Sequence, residues 1–157
     1  MGMTAPTGYW SQYGRAASVD WCEENYAVVS WIAEWWNATS SLPMILVGLV
    51  ALWRWKRADW FMEPRFVVCF AGLALVGVGS AAFHGTLLHA AQALDELPMV
   101  YCSLVMAYCV VVRTRDTVKD AHILRRWQIG FSVYAVAFTV AYFLIPAYFV
   151  LFIASFA

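Results

Sequence analysis

Four apolar runs, each close to the length that a membrane-spanning helix requires, constrain this chain more than any other feature. They cover roughly residues 35–53, 66–83, 90–112 and 128–145. A helix needs about 20 mostly apolar residues to cross a hydrocarbon core about 30 Å thick. The chain is also 63% hydrophobic and only 13% charged, unlike a soluble domain. The sequence therefore predicts an all-α bundle of transmembrane helices.

A fifth apolar run follows Pro146 and continues to Ala157. It is too short to cross a core that needs about 20 residues. We therefore expect four complete spans and part of a fifth. Residues 1–34 would form an N-terminal acidic tail, and residues 35–157 the transmembrane domain. Pro43 predicts a kink in the first span, which neighbouring helices can accommodate.

Basic residues concentrate around two of the connections between the runs. Nine of the ten lie there, and only Arg15 lies in the tail. The nine are Arg54, Lys56, Arg57, Arg65, Arg113, Arg115, Lys119, Arg125 and Arg126. Because Lys and Arg accumulate in cytoplasmic loops, the pattern predicts a tail on the lumenal or external side. Such residues attract anionic membrane lipids, and nothing in the pattern indicates binding of nucleic acid.

Polar residues interrupt the apolar sequence at one place. Ser80 and His84 end the second run, and Asp95 and Glu96 lie near the start of the third. Ser80 and His84 are four positions apart, so they share a face of a helix. A charged group at membrane depth costs about 2.5–3.5 kcal/mol on insertion scales, and such groups usually mark functional sites. We therefore expect the chemistry of the protein at this cluster.

A histidine, a carboxylate and a hydroxyl in a dry cavity suit a zinc hydrolase. The metal lowers the pKa of its bound water to about 7, the carboxylate accepts a proton, and the hydroxyl stabilises an oxyanion. In the alternative interpretation, His84 and Asp95 only bridge helices through hydrogen bonds. The residues favour neither interpretation by themselves, because one histidine does not make a metal site.

Small residues in the second and third runs indicate close helix packing. Three recur every four positions and predict the approach of another helix: Gly77, Ala81 and Gly85. Three cysteines in apolar runs are predicted to be packed as small hydrophobic side chains: Cys69, Cys102 and Cys109. The cysteine spacings match no zinc-binding or redox motif. Cys22, in the tail, is the one disulfide candidate, and the sequence offers it no evident partner.

The tail carries a second polar cluster, Asp20-Trp21-Cys22-Glu23-Glu24-Asn25, which is followed by Glu34. Carboxylate, amide and carbonyl oxygens are the ligands that calcium prefers. The four carboxylates of this segment would repel one another without a cation. The spacing is not that of an EF-hand loop, and a solvated acidic tail is the alternative interpretation.

Together these motifs resemble the alkaline ceramidases, within a wider superfamily of seven-span membrane hydrolases and receptors. The resemblance covers roughly the first 110 residues and rests on these segments, in order: Gly8-Tyr9-Trp10, Asp20-Trp21-Cys22-Glu23-Glu24-Asn25-Tyr26, Ile32-Ala33-Glu34 with Trp36-Asn37, Gly79-Ser80 with Phe83-His84, and Leu94-Asp95-Glu96-Leu97-Pro98-Met99. It implies hydrolysis of the ceramide amide bond to sphingosine and a fatty acid, in an endoplasmic reticulum or Golgi membrane.

The resemblance also implies sites for two metal ions. Calcium would be bound by Asp20, the carbonyl of Trp21, Glu23, Asn25 and Glu34. Zinc would be bound by His84, with Ser80 beside it as oxyanion helper and Asp95 as proton acceptor.

The chain departs from the family at the zinc site. The family completes that site with a His-x-x-x-His pair on its last span, whereas the three histidines here are His84, His89 and His122. His122 lies in a basic loop across the membrane from His84, and His89 is expected to be a surface histidine in the connecting loop. We therefore expect the chain to correspond to the N-terminal portion of a ceramidase.

Two further interpretations stay open. One is a non-catalytic receptor or regulator that resembles the adiponectin and progestin receptors, which share a Ser/His/Asp core. The segment from Asp20 to Asn25 favours the ceramidases over those receptors. The other is a short chain that pairs with a full-length copy.

Overall fold

The computed structural model describes residues 8–21, 23–57, 64–113, 115–116, 118–145 and 152. The helices in these ranges are α1 (Trp35–Ser40), α2 (Leu42–Arg57), α3 (Pro64–Thr86), α4 (His89–Arg113) and α5 (Ala121–Leu144). Four segments are long and apolar enough to cross a membrane: Trp35–Trp55, Pro64–Thr86, His89–Arg113 and Ala121–Leu144. The prediction of an all-α transmembrane bundle is confirmed. The predicted fifth run lies outside the described residues, except for Phe152.

The first span is interrupted close to the proline that predicted a kink. α1 ends at Ser40 and α2 begins at Leu42. Pro43 explains the break, because a proline lacks the N–H that would continue the hydrogen bonds of α1. In the first turn of α2 the missing N–H of Pro43 costs little. The break leaves Ser41 buried inside the bundle.

α3 lies at the centre of the bundle, packed against α2 and α4. Glycines let the backbones approach at both contacts. A Cβ atom at Gly77 would lie 2.9 Å from the backbone nitrogen of Ile45 in α2, and one at Gly79 would overlap the carbonyl of Leu94 in α4. The predicted close approach is therefore confirmed at Gly77, whereas a Cβ atom at Gly85 would meet open space.

The tail pairs with one side of the connection between α3 and α4. The Ala17 N–H donates to the carbonyl of Leu87 (2.8 Å), and the His89 N–H donates to the carbonyl of Arg15 (2.9 Å). Leu87 turns the chain with a φ of 51°, in the left-handed region. This conformation costs a non-glycine residue about 1–2 kcal/mol, and the burial of the Leu87 side chain and its backbone hydrogen bonds hold it in place.

A second tail segment pairs with the last turn of α3. The Ala33 N–H donates to the carbonyl of Gly85 (3.0 Å). This bond satisfies one of the carbonyl groups that a helix C-terminus otherwise leaves unpaired. Ala33 also packs with Phe83 and Leu87 in a small buried cluster. The tail is therefore held against the end of the α3–α4 pair that carries the polar cluster.

α5 contacts α4 through an apolar core that includes Ala93, Val100, Phe138, Tyr142 and Phe152. Much of its remaining surface is apolar and exposed, as at Val133, Val136 and Phe143. Such a surface suits contact with lipid. α5 begins at Ala121, seven residues before the predicted start of the fourth span, because the helix continues through a basic segment that hydropathy alone leaves out.

Substitution of Gly79 by alanine tests the close contact between α3 and α4. In a helix interior, alanine is favoured over glycine by about 1 kcal/mol. A methyl group at Gly79 would overlap the Leu94 backbone, and such overpacking typically costs about 1–3 kcal/mol. We therefore expect Gly79→Ala to lower the thermal unfolding midpoint in detergent. The control is Gly130→Ala, where the Cβ atom meets open space and the midpoint should stay or rise. Equal midpoints for the two variants would contradict the contact.

Candidate functional site

Ser80, His84 and Asp95 lie at the same end of the α3–α4 pair. Ser80 and His84 occupy the last two turns of α3, and Asp95 lies near the start of α4. Ser80 and Asp95 are buried. Asp95 lies close enough to His84 for an electrostatic interaction between the two side chains. Gly79 makes this proximity possible, because a Cβ atom there would lie 2.8 Å from the Asp95 backbone nitrogen.

Ser80 has a buried partner that the sequence does not reveal. The Ser41 hydroxyl oxygen lies 3.0 Å from the Ser80 hydroxyl oxygen and 3.0 Å from the carbonyl oxygen of Asn37. A carbonyl oxygen can only accept, so when the single hydroxyl hydrogen of Ser41 bonds to Asn37, the Ser80 hydroxyl donates to Ser41. The break between α1 and α2 is what places Ser41 in this position.

Glu34 joins the tail to His84 through both backbone and side chain. The Glu34 N–H donates to the carbonyl of His84 (2.9 Å). The Glu34 Oε2 atom forms a short contact with His84 Nδ1, and Glu34 Oε1 accepts a hydrogen bond from the Trp21 N–H (2.9 Å). The Glu34 carboxylate is 0% exposed, so these donors replace the water that a buried charge would lose.

The other predicted calcium ligands lie in the same part of the tail. The Asn25 side-chain N–H group donates to both carboxylate oxygens of Asp20 (3.1 and 2.9 Å). The two carboxylate oxygens of Glu23 accept hydrogen bonds from the Trp36 N–H (2.7 Å) and the Asn37 N–H (3.0 Å). Glu23 thus caps the N-terminus of α1, where a negative charge is favourable. This structural role was not predicted.

The tail cluster has donors suited to calcium, although no three of its carboxylates converge among the described residues. Its donors are carboxylate and amide oxygens, the type that calcium prefers. The Asn25 Oδ1 atom is buried and has no hydrogen-bond partner among the described residues. A buried oxygen of this kind usually has a partner, and a cation is one explanation for the exception.

Tyr26 lies beside Asp20, and burial raises the pKa of its hydroxyl, so Tyr26 stays neutral at neutral pH.

The zinc site fits only in part. A histidine that binds zinc commonly has its other ring nitrogen paired with a carboxylate, and Glu34 pairs with Nδ1 of His84 in this way. In the part of the chain that the structure describes, however, no three His, Cys, Asp or Glu side chains converge to hold a metal ion. His84 is therefore one candidate ligand, and the described residues do not complete the coordination.

Neither of the other two histidines joins His84 at this site. His122 is exposed in the first turn of α5. It lies 20 positions from Tyr142, the α5 residue that donates a hydrogen bond to Glu96, and 20 positions correspond to about 30 Å along a helix. His89 was expected to be a surface histidine; instead it is the first residue of α4, partly buried, with its ring 6.2 Å from that of Tyr142.

A second buried network lies beside the site and was missed by the sequence analysis. The Gln92 amide donates to Glu96 Oε1 (2.7 Å), and the Tyr142 hydroxyl donates to Glu96 Oε2 (2.8 Å). The Ser18 N–H donates to Gln92 Oε1 (2.8 Å). The network therefore ties the tail, α4 and α5 together. The spacing of four between Gln92 and Glu96 was a usable signal, whereas nothing in the sequence pointed to Tyr142 or Ser18.

The fold and the site define a class of protein: a polytopic helical membrane protein with a buried hydroxyl, a buried carboxylate and a partly buried imidazole under an acidic tail. A family model described as Ceramidase matches residues 14–157. The chain belongs to the ceramidase family.

Individual relatives agree with the family assignment. The chain is 40% identical over 103 residues to alkaline ceramidase 3 of Mus musculus, which covers 66% of the chain and 37% of that protein. It is 37% identical over 109 residues to alkaline ceramidase YPC1 of Saccharomyces cerevisiae, covering 69% of the chain and 33% of that protein. The chain thus spans between a third and two fifths of the length of these relatives.

Replacing Glu34 with glutamine tests whether its carboxylate holds the tail on the bundle. Glutamine keeps the shape but removes the charge that faces His84, and loss of a partner for buried polar groups costs about 1–3 kcal/mol. We expect Glu34→Gln to lower the free energy of unfolding by that amount and to speed proteolysis of the tail, measured without calcium. The control is Glu24→Gln, the same change at an exposed position in the same segment. Equal proteolysis rates for the two variants would contradict this role of Glu34.

Proposed function

We propose that the chain carries part of the catalytic site of a membrane amidase that cleaves ceramide to sphingosine and a fatty acid. The observation that carries the proposal is the group of Ser80, His84 and Asp95, with Glu34 in contact with His84, in a member of the ceramidase family. Cleavage of an amide needs an activated water, a proton acceptor and a donor for the oxyanion. The three side chains supply groups of the required types.

Zinc, when bound, would lower the pKa of a coordinated water so that it can attack the amide carbonyl at neutral pH. His84 would supply one ligand, and the remaining ligands would come from outside the described residues, or from a full-length copy that pairs with this chain. The Glu34 carboxylate fixes the orientation of the imidazole by engaging Nδ1, which leaves Nε2 as the coordinating atom. A carboxylate in this position also raises the basicity of a ligating histidine.

Asp95 would accept the proton of the attacking water and pass it to the leaving amine. It is buried next to His84 near the start of α4. The basic residues of α3 and α4 lie far from it in sequence. Ser80 would donate its hydroxyl hydrogen to the oxyanion that forms on the amide carbonyl. Ser41 supports this role, because the hydrogen bond between the two hydroxyl groups holds Ser80 in position.

We further propose that the tail binds calcium through Asp20, the Trp21 carbonyl, Glu23, Asn25 and Glu34. The unpartnered Asn25 oxygen and the set of oxygen donors support this. The protein would act on ceramide in an endoplasmic reticulum or Golgi membrane, with its tail in the lumen, as the distribution of basic residues indicates. Membrane lipids would surround the exposed apolar faces of the helices.

Zinc content and ceramide hydrolysis test the catalytic proposal on the detergent-purified chain. We expect zinc to be bound by the wild type and lost from His84→Ala. We expect Asp95→Asn to keep the zinc but to hydrolyse ceramide about 10²–10⁴-fold more slowly, as for the loss of a general base. Zinc is measured by elemental mass spectrometry and sphingosine by liquid chromatography. His122→Ala is the control, because that histidine is exposed at the start of α5. Full activity in Asp95→Asn, or a wild type without zinc, would contradict the corresponding assignment for this chain.

Terbium luminescence tests the calcium proposal without an activity assay. Terbium replaces calcium at oxygen sites, and excitation of Trp21 would sensitise its emission if the ion lies at the proposed ligands. We expect wild-type emission that calcium displaces, and a loss of at least tenfold in affinity for Asp20→Asn. Glu24→Gln is the matched control, since Glu24 carries a carboxylate in the same segment and is not a proposed ligand. Equal affinities for the two variants would place the ion elsewhere.

A further inference from the structure

A cavity of about 260 Å³ lies between α4 and α5. No described residue of the polar site or of the tail lines it. Its lining is mostly apolar and includes Leu104, Val105 and Tyr108 of α4 and Phe131, Ser132 and Ala135 of α5. A pocket for a whole small ligand usually has a volume of about 300–1,000 Å³. This cavity therefore suits one part of a larger apolar molecule.

Two hydrogen bonds between α4 and α5 show where the cavity lies along the helices. The hydroxyl oxygens of Tyr101 and Thr139 lie 2.5 Å apart, and the side-chain amide of Gln128 donates to the Tyr108 hydroxyl (2.7 Å). As α4 advances from the first bond to the second, α5 runs back, so the two helices are antiparallel. Arg113, the last residue of α4, therefore lies level with the first two turns of α5.

The chain is strongly basic just beyond this end of the cavity. Residues 113–126 include five Lys or Arg and two Asp, an excess of three positive charges. Lys119 forms an ion pair with Asp116 (3.9 Å). The four arginines are exposed and have no carboxylate partner among the described residues: Arg113, Arg115, Arg125 and Arg126. This end of the α4–α5 pair therefore attracts anions.

Arg125 lies on the side of α5 that lines the cavity. It is three positions before Gln128 and seven before Ser132, and residues at these spacings share one face of a helix. Arg126 lies on the opposite side, because the nine positions between it and Ala135 amount to two and a half helical turns. Of these two neighbouring charges, only Arg125 is placed to hold an anion at the end of the cavity.

Two aromatic side chains indicate that this level suits a lipid head group. An amide N–H can only donate, so Tyr108 is the acceptor in its bond with Gln128. Its own hydroxyl hydrogen has no acceptor among the described residues and is available to a phosphate or ester oxygen. Trp127 is exposed, with its ring 5.5 Å from that of Phe131. Tryptophan side chains of membrane proteins concentrate at the level of the head groups.

We propose that the cavity between α4 and α5 binds one anionic phospholipid, with an acyl chain between the two helices and the phosphate at Arg125. Arg113, which lies level with this part of α5, adds positive charge. Basic pockets between membrane-spanning helices bind anionic head groups in this way. The proposal is narrower than a general attraction of basic loops for anionic lipids, because it specifies one lipid at one helix interface.

The bound lipid would strengthen the weakest helix contact of the bundle. α4 packs much less extensively against α5 than against α3, and an acyl chain in the cavity would contact both α4 and α5. The inference does not depend on the proposed ceramidase activity.

Native mass spectrometry of the detergent-purified chain tests the proposal. The chain is titrated with dioleoyl phosphatidylglycerol or with dioleoyl phosphatidylcholine, which has the same acyl chains and no net charge. We expect one phosphatidylglycerol molecule to bind about tenfold more tightly than phosphatidylcholine. Arg125→Gln should weaken its binding by about fivefold, the contribution of one basic residue near an anionic membrane surface. The matched control is Arg126→Gln, which removes the same charge from the opposite side of α5 and should change the affinity by less than about twofold.

A second pair of variants tests the position of the acyl chain. In Ala135→Phe the added ring would fill the cavity, so the affinity for dioleoyl phosphatidylglycerol should fall. Ala137→Phe places the same ring on an exposed position of α5 and should bind the lipid like the wild type. The thermal unfolding midpoint in detergent shows whether each variant is folded.

Several results would overturn the proposal. These are equal affinities for the two phospholipids, equal losses in Arg125→Gln and Arg126→Gln, and full affinity in a folded Ala135→Phe. A dimer without bound lipid would also overturn it, because a second copy of the chain would then cover the cavity.

Discussion

The paired contacts between Glu34 and His84 determine how the tail, the bundle and the site relate to one another. The backbone N–H of Glu34 bonds to the carbonyl of His84, and its carboxylate contacts the imidazole of the same residue. A fully buried carboxylate is tolerated only where donors replace its lost hydration. Trp21 and His84 provide those donors, one from the tail and one from α3. Displacement of the tail would therefore separate the acid from the histidine and leave His84 without this partner.

The same principle explains why the bundle differs between its two ends. At one end, buried polar groups occur in two networks, one around Glu34 and one around Glu96, and each includes a tail residue. At the other end, α3 and α4 meet through apolar side chains and thiols. The hydrogen bonds at the polar end fix the tail in one arrangement, because each network is satisfied only when the tail is in place. A rigid arrangement of this kind is what a catalytic site requires.

The sequence was sufficient to predict features that depend on local pattern. Hydropathy located the spans, and the spacing of four placed Ser80 and His84 on one helix face. It could not predict contacts between distant segments, such as Ser41 with Ser80 or Glu34 with His84, which are 39 and 50 positions apart. The start of α5 was missed because helix formation in a charged segment depends on backbone hydrogen bonds rather than on hydropathy. The resemblance to ceramidases singled out Glu34 but gave no indication that it contacts His84.

The position of Glu34 imposes a condition on the proposed calcium and zinc sites. Each carboxylate oxygen can accept two interactions. One place on Oε2 is taken by His84, and one on Oε1 by the Trp21 N–H. A calcium ion held by Asp20 and Asn25 could therefore reach Oε1 from the tail side without displacing the imidazole. Since both oxygens belong to one rigid carboxylate, a cation that fixes Oε1 also fixes the direction of Oε2. Calcium in the tail would then hold the His84 ring in the orientation that coordination of zinc through Nε2 requires. The Glu34 carboxylate would be the single group that connects the two sites.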